Sequence, residues 1–518
     1  MVCPVLIVFS LPLLVAAANC IPSPISLPIK NVTLSTGKIQ RGVSLKIGNP
    51  QQEFAFLPKW DNNNTFLYGS KCDPLGLADT INACITLRGG VYQDGSTSQG
   101  KLPSSIQLPP DLWDPSTFSV FTETMQLDSN NTLNGFPLAT PEDYEGWNLQ
   151  GYNPQNIIGM GSGSTLVDAC RKAGIIASDS CGFYWGLDGV LDQDQTEGSF
   201  VLGGYDQAKT IGDGFTQQLS NRSDCPTGMM AYIEDITLDL DGKAVSIFPD
   251  GTGGVLNLAC IVPELPVLMN MPLDPYFANF MFETRTDIWA RSLEVDFRNA
   301  VANRSTLTLN SGLEIKVPNH QFIVPLRYID NNGGLTINSS EPVVRINPLE
   351  GSTAGALPML GRYFFTSAYL FINRDAGEFT IWQANSTLET NFVAVNEKNE
   401  LITTTQSCGT TTPTASVGPE SGGDEEEGKD GDSVSSRSSL SSGAIAGIVI
   451  GVIAAVGIGL GALWWYFMQR RKRNAVAEAE VLTMSATGKA AELEARGHYI
   501  PQEMPSEPLD IQPIELPS

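Results

Sequence analysis

Between Pro28 and Val395 the sequence alternates short apolar runs with turn residues, and this pattern limits the fold more than any other feature. The runs are rich in Val, Ile, Leu, Phe and Thr, and Gly, Pro, Asn or Asp interrupts them at intervals of roughly 8 to 12 residues. Helical periodicity is confined to short pieces such as Ser164 to Lys172 and Pro272 to Phe282. The chain of 518 residues has room for one large or two ordinary domains. The pattern predicts an all-β architecture.

Residues 1–18 are typical of a secretory signal peptide. An apolar run from Val5 to Val15 precedes the small residues Ala16-Ala17-Ala18, where cleavage is expected. The alternative, an N-terminal membrane span, needs a longer apolar run. Cleavage would leave eight of the nine cysteines, an even number that suits disulfides in an oxidising compartment and leaves the connectivity open. They are Cys20, Cys72, Cys84, Cys170, Cys181, Cys225, Cys260 and Cys408.

The C-terminal part predicts a single-pass membrane anchor. Gly443 to Met468 carries no charge, ends in Trp464-Trp465-Tyr466, and is followed by Arg470-Arg471-Lys472-Arg473. Its 26 residues can cross a bilayer as a helix, and the basic residues beyond it predict a cytoplasmic C-terminus. We therefore expect a type I protein of the secretory pathway, at the cell surface or a vacuolar membrane.

The composition of the segments on either side of the span predicts disorder. Residues 402–442 are rich in Ser, Thr, Gly and Pro and predict an extended stalk, and residues 469–518 predict a short cytoplasmic tail. Gly443, Gly447 and Gly451 have the small-xxx-small spacing that packs two helices, although a span without a partner fits equally well.

Seven sequons precede residue 400, on the predicted lumenal side of the membrane. They are Asn31, Asn63, Asn130, Asn221, Asn303, Asn338 and Asn385.

Composition and motifs exclude several function classes. The net charge of -25 argues against nucleic-acid binding, which needs basic patches. The two histidines, His320 and His498, form no cluster with cysteine at zinc spacing, so we expect neither a metal nor another cofactor. The sequence has no Gly-x-Ser-x-Gly elbow, and no histidine is placed to activate a serine or cysteine nucleophile.

Several motifs, in the correct order, resemble pepsin-like aspartic proteases. Ile47 to Phe54 is similar to that family's Ile-Gly-Thr-Pro-Pro-Gln-x-Phe, and Val91 to Gly100 to its flap hairpin, with Tyr92 as the flap tyrosine or a plain strand tyrosine. Further similarities are the segments Asn156 to Gly161, Phe183 to Leu187, Gly198 to Asp206 and Met359 to Tyr369. The resemblance implies a bilobal β fold, with lobes at residues 28–215 and 216–398. Ile157-Ile158-Gly159 and Met359-Leu360-Gly361 would then be equivalent.

Both catalytic motifs that the resemblance implies are degraded. The first Asp-Thr-Gly falls on Lys59 when it is counted without a gap, or on Asp61-Asn62-Asn63 after a two-residue insertion. The second falls on Pro263-Glu264-Leu265. Asp61 and Glu264 are either a surrogate acid pair or two ordinary loop acids. The turn glycine is missing from both motifs, although asparagine tolerates some left-handed backbone.

The resemblance also implies a disulfide between Cys72 and Cys84. Cys170 with Cys181 and Cys225 with Cys260 are further nearby pairs. A glycan on Asn63 would obstruct a closed catalytic floor, because a large polar group cannot be buried there without unsatisfied hydrogen bonds.

Three functions fit these observations. The first is a membrane-anchored pseudoprotease that binds an extended peptide or a glycan between its lobes. The second is an atypical membrane-anchored aspartic endopeptidase. The third is a stalked sensor or structural protein that acts through its tail.

Overall fold

The computed structural model describes residues 22–72, 78–111, 117–142, 154–240, 242–248, 258–284, 295–296, 304–309 and 311–402. All of them belong to one compact unit, Met1–Thr414. The predicted signal peptide, stalk, span (with Gly443, Gly447 and Gly451) and tail lie outside this set, as do Cys20, Cys408 and Asn303. Within the described ranges, no helix is long and apolar enough to span a membrane.

Strands dominate the described residues, so the predicted all-β class is confirmed. The first eleven are β1 (Ile25–Thr33), β2 (Ile39–Ile47), β3 (Gln52–Lys59), β4 (Gly100–Lys101), β5 (Phe118–Gln126), β6 (Thr132–Pro141), β7 (Asn156–Gly159), β8 (Ser180–Tyr184), β9 (Gly198–Leu202), β10 (Gly204–Asp206) and β11 (Thr210–Gln218). The others are β12 (Met230–Leu240), β13 (Lys243–Ser246), β14 (Leu258–Ile261), β15 (Met269–Pro272), β16 (Val295–Asp296), β17 (Arg304–Leu309), β18 (Glu314–Pro318), β19 (Ile323–Ile329), β20 (Leu335–Val344), β21 (Ile346–Leu349), β22 (Met359–Leu360), β23 (Ala368–Asn373), β24 (Glu378–Ala384) and β25 (Phe392–Ala394).

The described helices are short. They are α1 (Ile81–Leu87), α2 (Thr165–Lys172), α3 (Ala278–Glu283) and α4 (Asn319–Phe322), with an irregular turn at Leu273–Phe277 before α3. The helices α2 and α3 lie near the predicted pieces, and α1 and α4 lie outside them. Ser164 caps α2, because its Oγ accepts a hydrogen bond from the Val167 N–H at 3.2 Å and donates one to the Gly159 carbonyl at 2.5 Å. The cap therefore fixes α2 to the end of β7.

One large sheet joins the two halves of the chain. Among the described strands it has twelve members, in the order β11-β24-β23-β8-β9-β1-β2-β3-β7, and β4, β5 and β6 continue it from β2. The junction is β8 against β23, where Phe183 from the first half contacts Phe365 from the second with ring centroids 5.6 Å apart. The second half adds an eight-stranded sheet, β18-β17-β12-β14-β22-β15-β21 with β13 on β12, and the small sheets β16-β20-β19 and β10-β25.

Each half contains the same local arrangement of strands around one loop, which we call the crossing loop. The first crossing loop joins β3 to Phe66, and the second joins β14 to β15. In the first half β3 and β7 are parallel, and the returning Phe66 bridges Ile157 antiparallel and Ala139 parallel. In the second half β14 and β22 are parallel, and the returning β15 pairs antiparallel with β22 and parallel with β21. Ile157-Ile158-Gly159 and Met359-Leu360-Gly361 thus occupy equivalent places.

Two of the suggested disulfides form and the third does not. Cys72 pairs with Cys84, as the resemblance implies, and Cys225 pairs with Cys260. The pairing of Cys170 with Cys181 is wrong, because both are free thiols. Both are buried in the main apolar core, on α2 and β8, and burial raises the pKa of each thiol to about 12.

The predicted flap hairpin is also wrong in form. Residues 91–99 contain no strand, and only β4 pairs, with β5. The segment is fixed to other parts of the first half instead, since the Thr97 N–H donates to the Asn49 carbonyl at 2.8 Å and the Gln93 N–H to the Gln52 side chain at 2.8 Å.

Glycine at the two equivalent strand ends is required by close packing, and this can be tested. A Cβ on Gly159 would lie 2.4 Å from the Asn64 carbonyl oxygen, and one on Gly361 would lie 2.4 Å from the Val267 carbonyl oxygen. We expect Gly159→Ala and Gly361→Ala each to lower the free energy of unfolding by about 2 kcal/mol or more, measured by denaturant titration. The control is Gly355→Ala, where a Cβ meets nothing within 4 Å, and it should be near neutral.

Candidate functional site: an acid pair around Lys59

The first crossing loop begins at Lys59, the last residue of β3, which lies opposite Gly159 of β7. The loop then lies directly on the end of β7, since the Gly161 N–H donates to the Asn62 carbonyl at 2.5 Å and the Thr165 N–H to the Asn63 carbonyl at 2.9 Å. Among the described residues, the one non-glycine with positive φ is Asn399, so Asp61, Asn62 and Asn63 form this turn without left-handed backbone. The close approach depends on glycines in the neighbouring strand end.

The second crossing loop places Glu264 as the first loop places Asp61. Ile261 pairs with Leu360, so Val262 lies beside Gly361 as Lys59 lies beside Gly159. Asp61 and Glu264 each follow two residues later. The Arg362 N–H donates to the Leu265 carbonyl at 2.7 Å and holds this loop against its neighbour. Pro263 is buried in the loop, and it supplies neither a carboxylate nor an N–H.

Lys59 joins the two acids. Its Nζ lies 2.9 Å from Oδ1 of Asp61 and 3.8 Å from Oε1 of Glu264. The exposed fractions of the Lys59, Asp61 and Glu264 side chains are 14%, 15% and 6%, so all three are largely removed from water. The structure therefore brings together three of the four candidate positions, and it does so around a cation.

Burial and charge act in opposite directions at this site. Burial raises the pKa of Glu264 to about 7; the neighbouring Asp61 adds to this rise, while the Lys59 ammonium opposes it. Burial disfavours the ammonium of Lys59, but the nearby Glu264 and Asp61 carboxylates outweigh it and raise the pKa of Lys59. Lys59 therefore stays charged, and Glu264 changes charge near neutral pH.

Asp111 fixes the first loop from outside, and the sequence carries no signal for this role. Its carboxylate accepts hydrogen bonds from the backbone N–H of Asn63 at 2.6 Å and of Asn64 at 3.1 Å, and a further bond from the Asn64 amide. Burial is the largest influence on this carboxyl and raises its pKa, against the opposing effect of these bonds. Asp111 lies 47 or more residues from its partners in sequence, so only the folded chain reveals the contact.

Trp60 anchors the same loop from inside. Its ring packs edge-on against Phe183 and Phe200, with centroids 5.8 and 6.4 Å apart. The Arg374 guanidinium lies 6.0 Å from the Trp60 ring centroid and donates to the Met160 carbonyl. Lys59 is thus placed by the strand before it and the buried indole after it.

Tyr92 is held in place. Its side chain is buried, its hydroxyl donates to Oε2 of Glu123 at 2.8 Å, and its ring stacks on Phe121 with centroids 5.2 Å apart. Ser98 donates to the same carboxylate, which is fully buried. Burial and the Glu123 contact raise the pKa of Tyr92. A mobile flap residue would need a free side chain, so the structure favours a fixed wall at this position.

The described sequons differ in exposure. Asn31, Asn130 and Asn221 are exposed, and Asn338 and Asn385 are half-buried. Asn63 is half-buried, its Nδ2 donates to the Pro110 carbonyl at 2.7 Å, and its Oδ1 accepts from the Gly163 N–H at 2.8 Å. A glycan would be attached to Nδ2. Glycosylation of Asn63 therefore stays a prediction, and it requires the loop at Pro110 to move.

Within the described residues, no group of His, Cys, Asp and Glu could hold a metal ion. His320 lies 3.9 Å from Asp194, outside the site described above.

Comparisons with known proteins give a limited similarity. No family model matches the chain, and no curated protein matches it. Among solved structures, the crystal structure of the aspartic proteinase from Irpex lacteus matches with 14% identity and a TM-score of 0.46, covering 71% of this chain and 100% of that one. This similarity carries no assignment of function.

The raised pKa of Glu264 predicts a pH dependence of stability. The native state holds the Glu264 proton up to about pH 7, whereas the unfolded chain releases it near pH 4.5. The resulting contribution is present below about pH 4.5 and is lost as the pH rises to about 7, with an upper limit of about 3 kcal/mol. We expect Glu264→Gln to remove this component, measured as the free energy of unfolding across that range. The exposed Glu314 offers a matched control, and Glu314→Gln should leave the profile unchanged.

The contacts of Asp111 predict local opening when it is removed. In Asp111→Ala we expect the amide hydrogens of Asn63 and Asn64 to exchange roughly tenfold faster or more, because two backbone donors lose a charged acceptor. Hydrogen exchange with mass spectrometry measures this. Asp128→Ala removes a similar carboxylate from the Asn130–Asn131 turn and should leave exchange at Asn63 unaltered. Equal effects of both variants on Asn63 would contradict the assignment.

Proposed function

We propose that this protein is a membrane-anchored pseudoprotease: a pepsin-like, peptidase A1-type domain that binds an extended peptide between its two halves without hydrolysing it. The observation that carries the proposal is the Lys59 ammonium, paired with both Asp61 and Glu264. The pepsin-like assignment rests on the order of the sequence motifs and on the two equivalent crossing loops.

The chemistry of aspartic proteolysis requires a free ionised carboxyl beside a protonated one. The ionised carboxyl activates water, and the protonated one polarises the scissile carbonyl. Here Asp61 has an ammonium 2.9 Å away, and the same nitrogen lies 3.8 Å from Glu264. The raised pKa of Glu264 lets it keep a proton, but the ammonium engages the Asp61 carboxylate, so no free carboxylate is left to activate a nucleophilic water.

A binding role needs a surface that persists without catalysis. Beside the fixed Tyr92, within the first half, is a cavity of about 170 Å³, with Phe121 in its wall and the polar side chains of Ser70, Ser119 and Gln99 around it. Aromatic and hydrogen-bonding groups in one depression suit a peptide side chain. The glycan is the alternative ligand, and the same groups would bind it through stacking and hydroxyl contacts.

The membrane anchor and the orientation of the chain belong to the same proposal. They rest on the uncharged run Gly443 to Met468 and the basic residues that follow it, which lie outside the described residues. The signal peptide and the sequons support a lumenal or extracellular position for the β domain.

The proposal predicts that the purified protein has no endopeptidase activity. We expect no cleavage of a peptide library from about pH 3 to about pH 7, because the Lys59 ammonium engages the Asp61 carboxylate that would have to activate water. The same library digested by an active aspartic protease serves as the positive control. Pepstatin-sensitive cleavage that is lost in Asp61→Asn would overturn the proposal in favour of the atypical endopeptidase.

A further inference from the structure

The two acids and the lysine form a closed charge group at the meeting point of the halves. Asp61 comes from the first crossing loop, Glu264 from the second, and Lys59 from the strand that leads into the first. The Lys59 side chain is 86% removed from solvent, so its aliphatic stem is buried with its charged end. A single nitrogen atom thus connects equivalent positions of two separate loops.

Within the part of the chain that the structure describes, no cation apart from Lys59 is among the main charged groups that act on Glu264. The groups whose charge acts on Glu264 are Lys59 and Asp61; Asp111 acts on Lys59, and Asp61 acts on Asp111. Arg374 lies over the Trp60 ring and against the Met160 carbonyl. Without Lys59, the two acids would face each other with no cation beside them in a place that is largely removed from water, and the pair would hold a proton more tightly.

We propose that Asp61 and Glu264 form a binding site for a primary ammonium group, which the chain fills with its own Lys59. This deepens the proposed function, on which it rests for the role of the site. The ligand class follows from the geometry: a compact cation with several N–H donors on an unbranched apolar stem.

The site can be emptied and refilled from solution. Lys59→Ala removes three methylene groups and the ammonium, and n-propylammonium has the same atoms. Such a cation would restore the ion pairs and fill the void that the substitution leaves. A quaternary ammonium of similar charge has no N–H donor and is too broad for the place of a methylene chain.

The experiment measures thermal unfolding of the full-length protein in detergent. We expect n-propylammonium chloride to raise the Tm of Lys59→Ala by about 2 °C or more, saturably, relative to equal concentrations of sodium chloride or tetramethylammonium chloride. The wild type, whose site is filled, should show no such difference. The double variant Lys59→Ala with Glu264→Gln should lose the effect, because it keeps only one carboxylate. An equal shift in all three proteins, or no shift in Lys59→Ala, would overturn the proposal.

A second variant covers the case in which Lys59→Ala does not fold. Lys59→Met keeps the length of the stem and removes the charge, so the acid pair must hold a proton. We expect its Tm to go on falling between about pH 7 and about pH 9, where the Glu264 contribution to the wild-type profile is already lost, because loss of the ammonium raises the pKa of the acid pair and the native state there binds more protons than the unfolded state. Adding Glu264→Gln should flatten the profile. Identical profiles for Lys59→Met and the wild type would contradict the proposal.

These outcomes are separate from those of the cleavage assay. A wild-type protein that hydrolyses peptides would refute the proposed function, whatever the rescue experiment shows. A wild-type protein without activity, whose Lys59→Ala variant ignores n-propylammonium, would refute only the ammonium site.

Discussion

The Lys59 ammonium between Asp61 and Glu264 is the interaction that joins the two crossing loops where the halves meet. Two crossing loops can meet only where their neighbouring strands leave space, and Gly159 and Gly361 leave that space, because a Cβ on either would overlap a loop carbonyl. Where the two loops meet, the Asp61 and Glu264 carboxyls are largely removed from water, and like charges repel strongly in such a place. Lys59 compensates that repulsion from the end of β3. Trp60 and Asp111 then hold the loop from inside and outside, so the lysine cannot turn away without breaking buried contacts.

A second buried charge group has the opposite ratio of cations to carboxyls from the group at Lys59. Asp188 is surrounded by Arg345, Arg41 and Arg327, which outweigh its burial and lower its pKa to about 2. One carboxylate there has three cations, and it stays charged at every pH at which the protein is expected to work. At the Lys59 site two carboxyls share one cation, and the pKa of Glu264 is raised to about 7. The difference between the two pKa shifts follows from the number of cations per carboxyl group. The Asp188 group serves to fix the halves together, since Arg327 and Arg345 come from the second half.

Local sequence signals predicted the elements well, and non-local contacts account for what they missed. Strand content, the helix that Ser164 caps, and the disulfide between Cys72 and Cys84 were predictable, because each depends on neighbours in sequence or on a repeated family motif. The ordered wall at Tyr92 was not, because Glu123, which holds its hydroxyl, lies 31 residues away without any motif. At the site, the sequence left Lys59 and Asp61 as competing positions for one aspartate. In the folded chain both residues belong to the site, because the Lys59 and Asp61 side chains meet 2.9 Å apart. An alignment that assigns one residue to the aspartate position cannot predict this.

On the proposed function, the choice of lysine explains how the site can keep its shape without hydrolysis. Removing one acid of a buried pair leaves the other without its partner, and an apolar replacement also changes the packing of a loop built from close contacts. A lysine at the end of β3 leaves both acids and both loops in place and compensates their charge with a group whose stem fills space. The proposed binding of an extended chain without cleavage needs that combination, because binding depends on the shape of the site and cleavage depends on a free carboxylate.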